Sequence, residues 1–182
     1  MASLIPAGSA SGTGSITLAA PVTNSNQTAT LPDATGTVMV SGNMPAFSAY
    51  LSADQTVTSG VWTKVACNTK SFDTANAFDS TTNYRFTPLV AGYYQVNVAG
   101  SNGNSTGYTS FSTAIYKSGS VWQYGGYVQV SSIISQTQTS LVYCNGSTDY
   151  IEFYVYVTAT TTAKISGGSS STWFSASLVR AA

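Results

Sequence analysis

The chain has 182 residues, of which 43% are hydrophobic and only 7% charged, and its six basic and six acidic side chains cancel. This composition excludes an intrinsically disordered protein, and the lack of clustered Lys and Arg argues against binding to nucleic acid or to an anionic membrane surface. The absence of His excludes histidine-ligated metals and nucleophiles activated by a histidine base, so we expect a protein that is not an enzyme.

Residues 1–8 contain neither a basic region nor a continuous apolar stretch, so we expect no secretory signal. No segment has the apolar length of a membrane span, so we expect no membrane insertion. The abundance of Ser, Thr, Asn and Gln nevertheless resembles the composition of an extracellular protein. A virion protein that folds in the host cytoplasm and is released by lysis reconciles these observations.

Residues 1–46 carry a single charge, Asp33, and are rich in Ser, Thr, Gly and Ala. Three short strands are predicted here, at residues 14–21, 27–32 and 37–40, each followed by a turn or ended by proline. Each has too few apolar side chains to offset, in one copy, an ordering entropy of about 1–2 kcal/mol per residue. We predict a β-rich stalk that attaches to other virion proteins; a loosely ordered tail is the alternative.

From residue 47 onward, strand patterns recur between turns of Gly, Asn and Ser, and the sequence shows no helical periodicity. The predicted strands are residues 47–51, 61–67, 84–86, 92–98, 111–116, 121–124, 141–144, 150–157 and 173–179. Many short strands separated by such turns are typical of a β-sandwich or jelly roll. Residues 47–182 are therefore predicted to form an all-β jelly-roll domain.

The strand at residues 150–157 has the clearest alternation of side chains. Its inward side chains are predicted to be those of Ile151, Phe153, Val155 and Val157. The opposite face carries Glu152 and three tyrosines, namely Tyr150, Tyr154 and Tyr156. Three tyrosines are a large apolar area to leave exposed, and tyrosine is favoured at protein interfaces. We predict that they lie in the contact between subunits; shielding by a loop of the same chain is the alternative.

Few residues are candidates for catalysis, for metal binding or for a disulfide. Cys67 and Cys144 match no zinc-site spacing, and we expect two half-buried thiols that act as small hydrophobic side chains, with a disulfide as the alternative. Asp73 and Asp79 are close in sequence and are expected to cap turns; calcium binding there is the weaker alternative. We predict no catalytic residue and no cofactor.

Aromatic residues near glycine-rich turns are the candidates for receptor binding. They are Tyr108, Trp122, Tyr124 and Tyr127. Flat aromatic faces beside amides such as those of Asn102, Asn104 and Gln123 can stack on a sugar and hydrogen-bond to it. The alternative is that these rings fill the core of the sandwich or the contact between subunits.

Residues 47–182 resemble the C1q-like, tumour-necrosis-factor-like jelly-roll domains. The residues that carry the resemblance are Phe47-Ser48-Ala49-Tyr50-Leu51, Phe72-Asp73, Asn76, Phe78-Asp79, Tyr84, Phe86-Thr87, Gly92-Tyr93-Tyr94, and residues 113–119, 147–151 and 171–178. The sequence departs from that family at Leu89, where a second proline is frequent, and at Ala176, where the last strand usually has glycine. The resemblance implies a homotrimer around a threefold axis, and binding instead of catalysis.

Residues 14–21 and 30–38 resemble segments that precede the heads of bacteriophage tail-fibre and structural proteins. Together the two resemblances imply a trimeric virion fibre protein, with a stalk at residues 1–46 and a C1q-like head at residues 47–182. Its expected partner is a glycan or protein of the host surface. The alternatives are a capsid-attached head fibre or decoration (cement) protein, and a bacterial adhesin or lectin.

Overall fold

A computed structural model of the chain describes residues 13, 22, 24–26, 28, 44–103, 107–129 and 132–182. The three strands predicted in the stalk lie outside the described residues, apart from residue 28. The division of the chain between residues 46 and 47 stays a prediction.

The described part of the chain contains fourteen strands and no helix. They are β1 (Ala46–Tyr50), β2 (Gln55–Thr56), β3 (Thr63–Lys64), β4 (Thr69–Asp73), β5 (Phe78–Asp79), β6 (Arg85–Phe86), β7 (Gly92–Ser101), β8 (Tyr108–Lys117), β9 (Ser120–Tyr124), β10 (Val128–Gln129), β11 (Ser135–Cys144), β12 (Ile151–Ala159), β13 (Lys164–Ile165) and β14 (Trp173–Ala181). The all-β prediction is confirmed.

The strands form a sandwich of two antiparallel sheets. The five-stranded sheet has the order β11-β7-β14-β1-β4, in which the last strand of the chain lies between the first strand and β7. The seven-stranded sheet has the order β10-β8-β12-β6-β5, with β3 beside β12 and β9 beside β8. Strands β2 and β13 form a separate pair. Because most neighbours in each sheet are distant in sequence, many connections cross between the sheets, as in a jelly roll.

Aromatic side chains from both sheets meet in one core. The ring of Phe47 on β1 lies 4.6 Å from that of Phe78, 4.5 Å from that of Phe86 and 4.9 Å from that of Phe174. Phe86 also contacts Tyr94 on β7 at 5.5 Å. The four side chains predicted to point inward from β12 are all fully buried, namely Ile151, Phe153, Val155 and Val157. The strand with the clearest alternation therefore forms the centre of the core.

The strand predicted at residues 61–67 is much shorter in the structure, where β3 comprises two residues. The side chain of Gln55 bonds to backbone groups of residues 64–66, where a neighbouring strand would otherwise pair. Its Nε2 donates to the carbonyl of Lys64 at 2.8 Å, and its Oε1 accepts from the N–H of Ala66 at 2.9 Å. A side chain thus satisfies backbone groups that the sequence pattern assigned to a sheet.

Cys67 and Cys144 are free, as expected, but they are fully buried instead of half-buried. Burial raises the pKa of the Cys67 thiol to about 12. Burial also raises the pKa of Cys144 to about 11, against the attraction of the nearby Lys117. Both thiols are therefore protonated near neutral pH and pack as small apolar groups.

The pairing of β1 with β14 shows where the described chain enters and leaves the sandwich. Ala46 is paired with Ser177, and the N–H of Leu178 donates to the carbonyl of Pro45 at 3.0 Å. Tyr50, at the other end of β1, is paired with Trp173. The described chain therefore enters and leaves at the same end, and the loops after β1 and before β14 lie at the opposite end.

Candidate binding surface

The described residues offer no obvious metal centre or membrane-crossing element. They contain no group of three His, Cys, Asp or Glu side chains that could hold a metal ion. Within the same residues, no helix is long and apolar enough to span a membrane.

Asp73 and Asp79 cap turns, as the sequence predicted. Asp73 accepts hydrogen bonds from two backbone N–H groups of the turn that follows it, both at 3.0 Å. Asp79 accepts from three backbone N–H groups at 2.9–3.0 Å. The N–H groups of Thr82 and Thr81 hold the pKa of Asp79 well below its ordinary range. Both carboxylates therefore stabilise turns as anions.

Tyr108, one of the four predicted receptor residues, is only 5% exposed. Its hydroxyl donates to the carbonyl of Lys164 at 2.7 Å and accepts from the N–H of the same residue at 2.8 Å. Ring and hydroxyl are both used to hold β8 against β13. The prediction that Tyr108 contacts a receptor is therefore wrong, because no face of this ring is available to a ligand.

Trp122 lies at the surface, where its described partners are residues other than the predicted receptor residues. Its Nε1 donates to Ser140 Oγ at 3.1 Å, which links β9 in one sheet to β11 in the other. Lys117 Nζ lies 5.7 Å from the Trp122 ring and 5.6 Å from the ring of Tyr143. The Trp122 side chain thus covers the gap between the sheet edges, with Lys117 as its cation–π partner.

Tyr124 and Tyr127 lie together with two rings that the sequence analysis did not assign to this site, Trp62 and Tyr156. Trp62 is 5.2 Å from Tyr124 and 5.5 Å from Tyr156, and Tyr127 is 6.3 Å from Tyr156. We call these four residues the four-ring cluster. Tyr124 and Tyr127 are 56% and 61% exposed, whereas Trp62 and Tyr156 are half-buried. The cluster is a continuous aromatic surface on the outside of the seven-stranded sheet.

Pairing between β3 and β12 positions two of these rings. Thr63 on β3 is paired with Val155 on β12, which places Trp62 beside Tyr156. The turn before Trp62 is closed by the N–H of Gly60, which donates to the carbonyl of Val157 at 2.8 Å. Gly60 has a φ of +77°, a conformation that glycine adopts without strain. The cluster therefore joins segments that are about ninety residues apart in sequence.

A Gly-Gly pair positions the other two rings. The N–H of Gly125 donates to the carbonyl of Thr113 at 2.7 Å, and a Cβ at this position would lie 2.5 Å from Thr113 Oγ1. Only glycine allows such a close approach to β8. Strands β9 and β10 both pair with β8, so Tyr124 and Tyr127 lie on either side of the glycine pair along the same strand.

The three tyrosines predicted at the subunit contact are partly covered by their own chain. The guanidinium of Arg85 lies 4.2 Å from the ring of Tyr150, and Tyr154 stacks on Tyr116 at 4.0 Å. Tyr156 belongs to the four-ring cluster. These intrachain contacts cover part of each ring, and the contact between subunits at these three residues stays a prediction.

The charged residue on the same face is also paired within the chain. Glu152 is buried, and its Oε1 lies 2.5 Å from Lys64 Nζ. Opposite charges at adjacent positions of β3 and β12 therefore neutralise each other beneath the aromatic surface.

The outward face of the five-stranded sheet has a different character. Its central side chains are uncharged and mostly small: Ser48, Gln95, Asn97, Thr139, Ser175 and Ser177. Exposed apolar side chains adjoin them, namely Tyr93, Leu141, Tyr143 and Val179. We call this surface the five-stranded face. Small side chains at the centre of this face would let the backbone of another protein approach closely. The adjoining apolar side chains offer area that such a contact would bury.

Solved structures share this arrangement of strands. Murine APRIL aligns with a TM-score of 0.57 and 11% identity, over 75% of this chain and 99% of its own. The globular domain of zebrafish complement 1qA aligns with a TM-score of 0.54 and 15% identity, over 76% of this chain and 99% of its own. The chain has the TNF/C1q-like jelly-roll fold.

The Eiger TNF of S. frugiperda matches the jelly roll equally well, with a TM-score of 0.54 and 11% identity over 76% of this chain and 93% of its own. These matches confirm the predicted fold. At such low identities they establish the jelly roll alone. No protein-family model and no curated protein matches the sequence.

Proposed function

We propose that the protein is a homotrimeric fibre protein of a bacteriophage virion, whose jelly-roll head contacts the host cell surface. The observation that carries the proposal is the four-ring cluster, an aromatic surface that the chain leaves partly exposed. Large rings with polar tips are the side chains that dominate recognition surfaces. The resemblance of residues 14–21 and 30–38 to segments of phage structural proteins supports the virion location, with residues 1–46 as the attachment to other virion proteins.

We assign the contact between the three copies to the five-stranded face. Its centre bears no charge that would have to be desolvated, and Leu141 and Tyr143 would gain burial there. Using Tyr156 for the subunit contact would cover the four-ring cluster, so one surface cannot serve both roles. This assignment replaces the contact through Tyr150, Tyr154 and Tyr156 and leaves the seven-stranded sheet facing outward.

Light scattering tests the oligomeric state. We expect a particle of three times the chain mass of 18.9 kDa. Ser177→Lys, which places three like charges in the proposed contact, is expected to yield folded monomers, because lysine would be buried without a partner. Thr82→Lys, on an exposed turn of the other sheet, is the matched control and should remain trimeric. A wild-type mass of a single chain would contradict the proposal.

Adsorption of the purified protein to host cells tests the binding surface. The double variant Tyr124→Ala/Tyr127→Ala is expected to bind cells at least about tenfold more weakly, since truncation of central aromatic side chains commonly costs 2 kcal/mol or more. Leu89→Ala removes a side chain that is 61% exposed and outside the cluster, and it should bind like the wild type. Equal adsorption of the double variant and the wild type would place the contact elsewhere. Immunogold label on the capsid of intact particles would rule out a tail fibre.

A further inference from the structure

We infer that the four-ring cluster binds an uncharged oligosaccharide chain of the host surface. The inference rests on the proposed function and specifies the chemical class of its ligand. Three properties of the cluster lead to it: the tilt between successive rings, the pairing of the charges around them, and the state of their polar atoms.

The rings of the four-ring cluster are tilted relative to one another. Trp62 is inclined by 35° to Tyr124 and by 46° to Tyr156, and Tyr127 is inclined by 46° to Tyr156. A flat rigid ligand can therefore stack on one of these faces at a time. A chain of small rings joined by rotatable bonds can turn from one face to the next. An oligosaccharide has this construction, and the C–H groups on one side of each sugar ring can pack against an aromatic face.

The cations on this side of the sandwich already have partners within the chain. Lys64 is paired with Glu152 at 2.5 Å, and Lys117 is paired with Asp149 at 3.0 Å. The guanidinium of Arg85 lies on the ring of Tyr150. A carboxylate, sulfate or phosphate on the ligand would have to compete with these contacts for a cation. The surroundings of the cluster therefore favour a ligand without charge.

The polar atoms of the cluster have no partners in the described part of the chain. The hydroxyls of Tyr124, Tyr127 and Tyr156 form no hydrogen bond with the described residues. The indole N–H of Trp62 forms none with them either. In contrast, Trp122 uses its N–H to bond Ser140. Phenol hydroxyls both donate and accept hydrogen bonds, and an indole N–H donates. Sugar hydroxyls can pair with all four groups while the sugar rings cover the aromatic faces.

Treatment of host cells before adsorption distinguishes the chemical classes of ligand. Periodate, which cleaves vicinal diols of sugars, is expected to reduce adsorption of the purified trimer to the level of the Tyr124→Ala/Tyr127→Ala variant. Protease treatment of the cells is expected to leave adsorption unchanged. Loss after protease but not after periodate would overturn the inference and leave the proposed function standing. A wild-type protein that fails to adsorb to untreated cells would contradict the proposed function itself.

Competition with extracted polysaccharide tests the absence of charge. Polysaccharide from the same cells is separated by anion exchange into a neutral fraction and a retained acidic fraction. The neutral fraction is expected to displace the wild-type protein from cells. It should bind the Tyr127→Ala variant about tenfold more weakly than the wild type. The Leu89→Ala variant should bind it like the wild type. Competition by the acidic fraction alone, or by neither fraction, would overturn the inference.

Discussion

Replacing Phe47 with Ala is expected to lower the free energy of unfolding by about 3–5 kcal/mol, a large part of the stability of an ordinary domain. Phe47 is 1% exposed and contacts three other rings, those of Phe78, Phe86 and Phe174, at 4.5–4.9 Å. Truncation leaves a cavity between the two sheets, and partners held by three separate strands cannot collapse into it easily. The lost free energy of unfolding therefore includes both the burial of the ring and its packing contacts.

Urea unfolding at a fixed protein concentration measures this effect, since the stability of an oligomer depends on concentration. Tyr127→Ala is the control, because its ring is exposed and its loss should change the free energy of unfolding by no more than about 0.5 kcal/mol. Equal midpoints for Phe47→Ala and the wild type would mean that Phe47 is not at the centre of the core. A folded Tyr127→Ala variant also validates its use in the competition experiment with polysaccharide.

Replacing Asp73 with Ala is expected to cost about 2–3 kcal/mol at neutral pH. Its carboxylate is 4% exposed and accepts from the N–H groups of Ala77 and Phe78 and from Lys70 Nζ, all at 3.0 Å. The change leaves two backbone donors without their partner and loosens the turn that presents Phe78 to the core. Asp73→Asn is the matched control, and it should cost less because its amide oxygen can still accept one of these bonds.

The contribution of Asp73 is expected to depend on pH. Burial raises the pKa of its carboxyl, but the bonds from Phe78, Lys70 and Ala77 together outweigh burial and bring the pKa below its ordinary value of 3.8. A lowered folded-state pKa means that the stabilisation is complete above the unfolded value and is lost as the pH falls through the folded value. The difference in stability between Asp73→Ala and the wild type should therefore be constant from pH 7 to about pH 5 and shrink below about pH 4. A difference that grows on acidification would contradict this assignment.

The fold could be predicted from local patterns where one face of a strand is buried. The alternation along β12 identified all four of its core side chains, because a strand presents every second residue to the same side. The pattern failed for β3, where the amide of Gln55 replaces a pairing strand. It also missed β4, whose Ser71 and Phe72 are both exposed and give no alternation.

The candidate site could be predicted only in part, because it depends on pairings between distant segments. Tyr124 and Tyr127 were identified from the glycines between them. Trp62 carried no local signal for the site, since it reaches the cluster through the pairing of β3 with β12. Tyr108 had the same local features as Tyr124 but is buried by β13, more than fifty residues later. The residues next to a ring in the sequence predict whether it lies near a turn. They do not predict whether a distant strand buries it.

The position of the two chain ends has a practical consequence for engineering. A peptide fused after Ala182 would emerge beside Ala91, at the end of the sandwich where β1 begins, because the N–H of Ala182 donates to the carbonyl of Ala91. An insertion between Ser169 and Ser170, both exposed, would emerge from the opposite end of the sandwich. Exposed loop tips of this kind tolerate added sequence. This loop is therefore the better place to display an epitope or an affinity handle at a distance from Pro45 and Ala182.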